Sequence, residues 1–294
     1  MALCLSPLGC IKAILTNGQI SATRQGSSAL DTIADFEVGK TAAAAGLVQF
    51  EGMHRLAPDN TDALFLLTKG WAGYGFAFAE DEMEAAQDKG DDEMAAYHKK
   101  RARMAYERAV FYGLELLGHQ ADGFTAAKKN EDTFKKWLDK HFDDKEDAET
   151  LFWVGYAWLG RVNIGKDDPA LVGELFVGVA MLEKAVQLDP SYNHYSGEVA
   201  LAAYHARTAM SEMDQSKQLF EDALAKTQHK TLVVQLNYAT RYACNKGDRA
   251  LYEKMINEVL TADDPDPQQR FTNMIAKRRA RRALLKSRTE DCGF

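Results

Sequence analysis

The chain has 294 residues, 46% hydrophobic and 27% charged, with 36 Lys+Arg against 43 Asp+Glu and a formal charge of −7. That balance excludes a general nucleic-acid binder, whose affinity rests on cations meeting phosphates. The hydrophobic share is ample for a packed core, and no apolar run approaches the ~20 residues that a membrane-spanning helix needs.

In chain order, Met1-Ala-Leu-Cys-Leu-Ser-Pro-Leu-Gly-Cys10 is a short apolar run ending in Gly9-Cys10. It resembles the end of a bacterial lipoprotein signal, in which the cysteine is acylated and becomes the new N-terminus. Thr16, Asn17, Gln19, Ser21 and Thr23 then make residues 11–27 read as a polar tether. Ser28 with Asp31 reads as a capping box that opens a helix to about Lys40. A second helix runs to Leu56, and Ala57-Pro58-Asp59-Asn60 is the turn. Asn60 or Thr61 caps the next helix, where Leu64, Leu67, Trp71, Tyr74 and Phe78 fall at alternating 3 and 4 spacing.

Residues 80–92 read as an acidic extension broken at Gly90, followed by a long helix from Met94 to Leu117, a loop over 118–130 and a short helix from Glu131 to Phe142. The charged stretch 143–147 is the candidate hinge. Leu151 to Ile164 is apolar nearly all round, with Phe152, Trp153, Tyr156 and Trp158, and so reads as a central buried helix. Asp168-Pro169 and Asp266-Pro267 each place a capping acid before a proline at the first helical position. Helices follow near 170–188, 196–211, 214–226, 231–244 and 248–261, then a terminal helix from 267 to about 287. The class is all-α, about twelve helices in stacked antiparallel pairs, with a single body over 28–287 and a tail at 288–294.

A small–large–small stripe recurs through these helices. Gly46, Phe50, Met53 and Pro58 are spaced 4, 3 and 5 apart, and Gly178, Leu182, Ala185 and Pro190 repeat those intervals. Ala102, Tyr106 and Ala109 repeat the first two, with weaker copies at Ser216, Phe220, Ala223 and at Asp248, Tyr252, Met255. Small positions let a neighbouring helix approach, the large one fills the gap, and proline ends the winding. This is the pattern of the second helix of a tetratricopeptide (TPR) unit, a solenoid of helix pairs that builds binding surfaces.

Motifs for chemistry are scarce. The seven histidines contain no HExxH and no i,i+4 pair, and neither a P-loop, a GxGxxG nor a GxSxG is present. Asp88, Asp91, Asp92 and Glu93 lack the ligand spacing of a calcium loop. Cys4, Cys10, Cys244 and Cys292 show no CxxC, suggesting neither a zinc cage nor a disulfide scaffold, and Cys244 reads as core. No cofactor or metal is expected. Lys277-Arg278-Arg279-Ala280-Arg281-Arg282 is the one strong charge feature. The stripe Asn273, Ala276, Ala280, Ala283 would press that helix onto the last repeat, leaving the arginines to water or to the chain's acids, so neutralising them should change little.

Candidate ligand or partner contacts are polar and aromatic residues on the first helices of pairs: Trp71, Tyr74, Tyr156, Asn237, Tyr238 and Arg241. Asn237 and Arg241 lie one turn apart on an otherwise apolar helix, where an amide and a guanidinium need partners. For each residue, bonding to neighbouring backbone is the competing structural role.

Several segments together resemble one family. They are Gly9-Cys10, Phe50-Glu-Gly-Met-His-Arg-Leu-Ala-Pro-Asp-Asn60, Leu64-Phe-Leu-Leu-Thr-Lys-Gly-Trp71, Leu151-Phe-Trp-Val-Gly-Tyr-Ala-Trp158, Asn163-Ile164 with Asp167-Asp-Pro169, and Asn273-Met-Ile-Ala-Lys-Arg-Arg-Ala-Arg-Arg-Ala-Leu-Leu285. Over about residues 9–287 the chain resembles the T-component (TatT) family associated with tripartite ATP-independent periplasmic (TRAP) transporters. The resemblance implies a periplasmic TPR-like protein, lipid-anchored at Cys10 to a bacterial membrane, most simply the outer one. It also implies a homo-oligomer, as a trimer, pairing with the solute-binding P-subunit of an importer and holding a small apolar or organic-acid solute. Two other classes stay open: a periplasmic TPR adaptor for envelope assembly, and a hydrolase whose site the motifs do not reveal.

Overall fold

A computed structural model describes residues 7–207 and 212–294, with side chains from Ala13 onward. The described residues form helices and turns with no strand, in agreement with the all-α expectation. In order they are α1 (Pro7–Gly26), α2 (Phe36–Leu56), α3 (Thr61–Tyr74), α4 (Asp81–Gln87), α5 (Asp92–Gln120), α6 (Phe124–Ala127), α7 (Glu131–His141), α8 (Asp147–Ile164), α9 (Pro169–Gly173), α10 (Leu175–Leu188), α11 (Tyr192–His205), α12 (Met213–Thr227), α13 (Leu232–Asn237), α14 (Cys244–Lys246), α15 (Arg249–Thr261), α16 (Arg270–Ala283) and α17 (Lys286–Asp291).

Local chemistry accounts for most boundaries. The Asn60 side chain accepts from Ala63 N at 2.9 Å and opens α3; Asp168 accepts from Ala170 N at 3.0 Å ahead of Pro169. Asp266 does the same for Gln268 N, and the short 3₁₀ turn Pro267–Gln269 leads into α16. Two expectations fail at the start of the chain. Residues 27–32 form a 3₁₀ turn, and Asp35, accepting from Val38 N, caps α2 in place of Ser28. The expected polar tether lies largely on α1, whose Ile20 is fully buried beside Met53 and Ala63. Cys10 falls in the first turns of α1, and its side chain is outside the described residues, as is all of Cys4.

The recurring stripe is where the core lies. Ala102, Tyr106 and Ala109, then Leu182 and Ala185, then Ser216, Phe220 and Ala223, and finally Tyr252 and Met255 are all buried. The small positions act as the spacing demands. A Cβ added at Gly178 would sit 3.1 Å from the Gly155 carbonyl oxygen, so the facing glycines let α8 and α10 touch through their backbones. The first apolar core runs from Leu64 to Leu201 and contains Trp153 and Trp158; it continues across residues 143–147. A second core, from Val199 to Ala283, takes over at α11.

Two features tie the ends of the stack. The helix α16 packs back against α2 and the 3₁₀ turn at 27–32, so the C-terminal part of the chain meets the N-terminal part. Cys244 and Cys292, 48 residues apart, form a disulfide, which corrects the reading of Cys244 as plain core. No spacing rule finds this pair because α17 folds back over α14, with Phe294 packed edge-on to Tyr252 at 5.3 Å. Closing so long a loop removes denatured-state entropy worth about 4 kcal/mol. Cys244→Ser should therefore lower the urea-unfolding free energy by about that amount, and reductant should lower the parent's to match.

Candidate functional site

Residues at the end of α3 set the polar centre of the molecule. Between α3 and α4 the helix widens into a π turn, Gly75–Glu80. Such a turn inserts an extra residue, rotates the next stretch of helix to a new side and leaves a carbonyl without its usual donor. The Phe76 carbonyl is taken by the Arg279 guanidinium of α16 at 2.6 Å, which also lies 4.2 Å over the Phe76 ring. The same turn drives Glu80 and Asp81, expected on an acidic extension, into the interior, where Asp81 is 0% exposed.

The buried acids are matched one by one. Arg279 lies 3.7 Å from Glu80, 4.0 Å from Asp81 and 3.8 Å from Glu84. Arg278 reaches Asp81 at 2.6 Å; Arg282 reaches Asp81 at 2.7 Å, Glu84 at 3.0 Å and Asp88 at 3.1 Å. Arg288 of α17 completes the row on Asp88 at 2.5 Å. The basic run is thus no solvated face: three of its arginines clasp α4 to α16 across nearly 200 residues of chain, while Arg281 is exposed and in no ion pair among the described residues. Burial works against the Arg279 charge, but Glu84, Glu80 and Asp81 outweigh it and hold the guanidinium cationic.

Four distant elements converge beside this clasp. Glu80 accepts from the Tyr106 hydroxyl of α5 at 2.7 Å. That ring fits because Gly75 and Gly160 offer no Cβ, which at Gly160 would fall 2.3 Å from a ring carbon. Tyr156 of α8 packs against Phe76 at 6.1 Å between ring centroids. Arg241 comes from a second π turn, Tyr238–Ala243, between α13 and α14. Its charge is felt by both Glu80 and Tyr156. Burial raises the Glu80 carboxyl above the ordinary carboxylate range, against the pull of Arg279 and the Tyr106 hydroxyl. Burial, and then the Glu80 charge, pushes the Tyr156 phenol well up. Arg241 is exposed and, among the described residues, in no ion pair or hydrogen bond; the Tyr156 hydroxyl also lacks a hydrogen-bond partner among them. An exposed guanidinium and a neutral phenol are each able to hold an anionic or polar group.

The structure separates the candidates read from the sequence. Tyr156 packs on Phe76 beside the clasp, while Arg241 stands exposed on the second π turn and bears on Tyr156 through its charge. Trp71 donates to Glu51 at 3.0 Å, and Tyr74 accepts from Arg101 at 2.6 Å, so both belong to polar networks joining α3 with α2 and α5. In that network Glu51 is held down to about 2: burial would raise it, but hydrogen bonds from Arg108, Tyr112 and Trp71 prevail. Tyr238 is buried and stacks on Phe220 at 5.1 Å. Asn237 turns its amide back to Val233 O at 2.8 Å within its own helix. Sequence reasoning missed Glu80 and Arg279; the available signal was a carboxylate pair, Glu80-Asp81, directly after the apolar run Phe76-Ala-Phe-Ala.

Helix pairs stacked on two apolar cores and closed by an ionic clasp make a helical-repeat protein, with no metal-binding cluster among the described residues. The comparison with known families makes this specific: residues 32–291 match the TRAP transporter T-component family, and the chain belongs to it. Membership implies association with components of a TRAP transporter, in an accessory role. An uncharacterized protein of Treponema pallidum (strain Nichols) is 24% identical over 250 residues, which cover 82% of this chain and 75% of that protein. No helix among the described residues is long and apolar enough to cross a membrane.

Arg279→Ala would leave Glu80, Asp81 and the Phe76 carbonyl buried without their cation. It should cost roughly 3–5 kcal/mol of unfolding free energy, whereas Arg281→Ala should stay within about 0.5 kcal/mol. Chemical denaturation of the two variants beside the parent measures both.

Proposed function

We propose that this protein is a lipid-anchored accessory component of a TRAP importer on the periplasmic side of a bacterial membrane. As a homo-oligomer, it docks the solute-binding subunit and holds an organic-acid solute with Arg241 and Tyr156. The observation that carries the solute reading is the exposed Arg241 guanidinium, presented by a π turn without a partner among the described residues and acting through its charge on the Tyr156 phenol. Arg278, Arg279 and Arg282, by contrast, are spent on the clasp. The disulfide supports the compartment, since such bonds persist where the surroundings oxidise. Self-association draws support from Tyr97, Met104 and Phe111, spaced seven apart and all exposed along α5.

Holding and handing over fits the chemistry better than conversion: the raised Glu80 carboxyl is engaged with Tyr106 and Arg279. Capture of partners from native membranes, with mass spectrometry of co-purified protein and solute, tests this reading. Arg241→Ala should lose most of the bound solute while keeping the helical circular dichroism of the parent. Asn237→Ala, whose amide serves its own helix, should lose little. Retention of solute by the Arg241 variant, or capture of envelope-assembly proteins without a solute-binding subunit, would overturn it. The anchor has its own check. Protein purified from its native host should begin at Cys10 and carry the mass of attached acyl chains; an unmodified chain beginning at Met1 would refute the anchor.

A further inference from the structure

The helix α17 is attached to the body by very little besides one covalent bond. It is six residues long and buries none of them, and a helix that short does not persist in water unaided. Three contacts hold it and the residues after it. Arg288, whose side chain is 31% exposed, pairs with Asp88 at 2.5 Å and donates to the Glu84 carbonyl at 3.3 Å. The Phe294 ring stands edge-on to Tyr252. The third contact is the Cys244–Cys292 disulfide. A part-exposed ion pair adds little by itself, so the bond is what keeps the segment in place. Both cysteines are half-buried at the edge of the second core, where a reagent can reach them. The turn that joins α16 to α17 is open as well, with Leu284 and Leu285 exposed.

We propose that Cys244–Cys292 is a thiol–disulfide exchange site, opened by a protein dithiol of the CxxC class, and that opening it releases residues 286–294 from the outer end of the clasp. A thiolate of the dithiol attacks Sγ of Cys292 and forms a mixed disulfide, while Cys244 leaves as a thiolate and takes a proton from water. The second thiol of the partner then displaces Cys292, which is protonated in turn, and the partner departs as a disulfide. Two electrons pass to this chain, and the two protons that the dithiol loses are balanced by those on the freed cysteines. With the bond open, α17 keeps one ion pair and one ring contact, and it swings out about Leu284–Leu285. Asp88, 6% exposed while the segment is in place, and Tyr252 are uncovered. The clasp itself survives, because Arg278, Arg279 and Arg282 still hold α4 to α16. Cys244 directly follows the second π turn, so the bond also ties that turn to the clasp through Arg288.

The test uses the oxidised full-length protein near neutral pH without denaturant. One sample receives dithiothreitol, another thioredoxin with its NADPH-dependent reductase. Alkylation and peptide mapping follow Cys244 and Cys292, and amide hydrogen exchange follows the helices. Both cysteines should become alkylated with either reductant. Exchange over 286–294 should then quicken about tenfold or more, while α8 keeps the rate of the oxidised protein. Cys244→Ser with Cys292→Ser should show the fast exchange with no reductant and no response to one. Arg288→Ala in the oxidised protein should stay far closer to the parent than the reduced protein does. A bond that resists both reductants until urea is added overturns the proposal, as does unchanged protection of α17 after reduction. Opening by dithiothreitol but not by thioredoxin refutes the protein dithiol. Equal loss of protection in α8 and α17 would make the bond a brace of the whole fold, and the latch would fall.

Discussion

The rest of the structure depends on one buried guanidinium. Arg279 lies among Glu80, Asp81 and Glu84 and donates to a carbonyl that a π turn has freed. Without that cation the acids at the end of α3 would have to be solvated or protonated, since an unpaired charge is not tolerated in a dry interior. Arg278, Arg282 and Arg288 extend the same clasp outward. A stack of helix pairs would otherwise have two free ends; here the last long helix packs on α2 and is tied to the π turn after α3 and to α4, and the disulfide secures the tail that carries Arg288.

Closure explains why the buried polar residues gather where they do. The two π turns occur on α3 and α13, far apart in sequence, and each interrupts a helix that otherwise runs straight on. The first turn sends Glu80 inward, and the second presents Arg241 close enough for its charge to act on Glu80. The clasp satisfies Glu80 through Arg279 and Tyr106, so Arg241 stays uncommitted. The proposed role of holding a solute is served by a charge left unspent, because a guanidinium already paired would have to break that pair first.

The structure also divides the molecule by chemistry. Ion pairs concentrate where α4 meets α16 and α17, while Ile14 and Leu15 of α1 and Leu56 at the end of α2 stand exposed. The networks around Glu51 and Glu82 fasten α2, α3 and α5 to one another and use up Trp71 and Tyr74, aromatic residues that would otherwise look free to bind.

The range of each interaction decides how much of it was legible in the sequence. The helices, the capping roles of Asn60, Asp168 and Asp266, the buried α8 and the small–large–small stripes all rest on contacts within a few residues, which spacing records directly. The family, too, was readable from continuous segments such as Leu151–Trp158. Tertiary structure alone decided the clasp, the Cys244–Cys292 bond and the packing of Tyr156 on Phe76, because their partners lie tens to about 200 residues apart and a π turn changes which side a residue faces without altering its composition. The run Lys277–Arg282 shows the difference most clearly. Its charge was plain in the sequence, but whether each arginine met water or a buried carboxylate depended on Glu80 and Asp81 being turned inward by a helix irregularity at the other end of the chain.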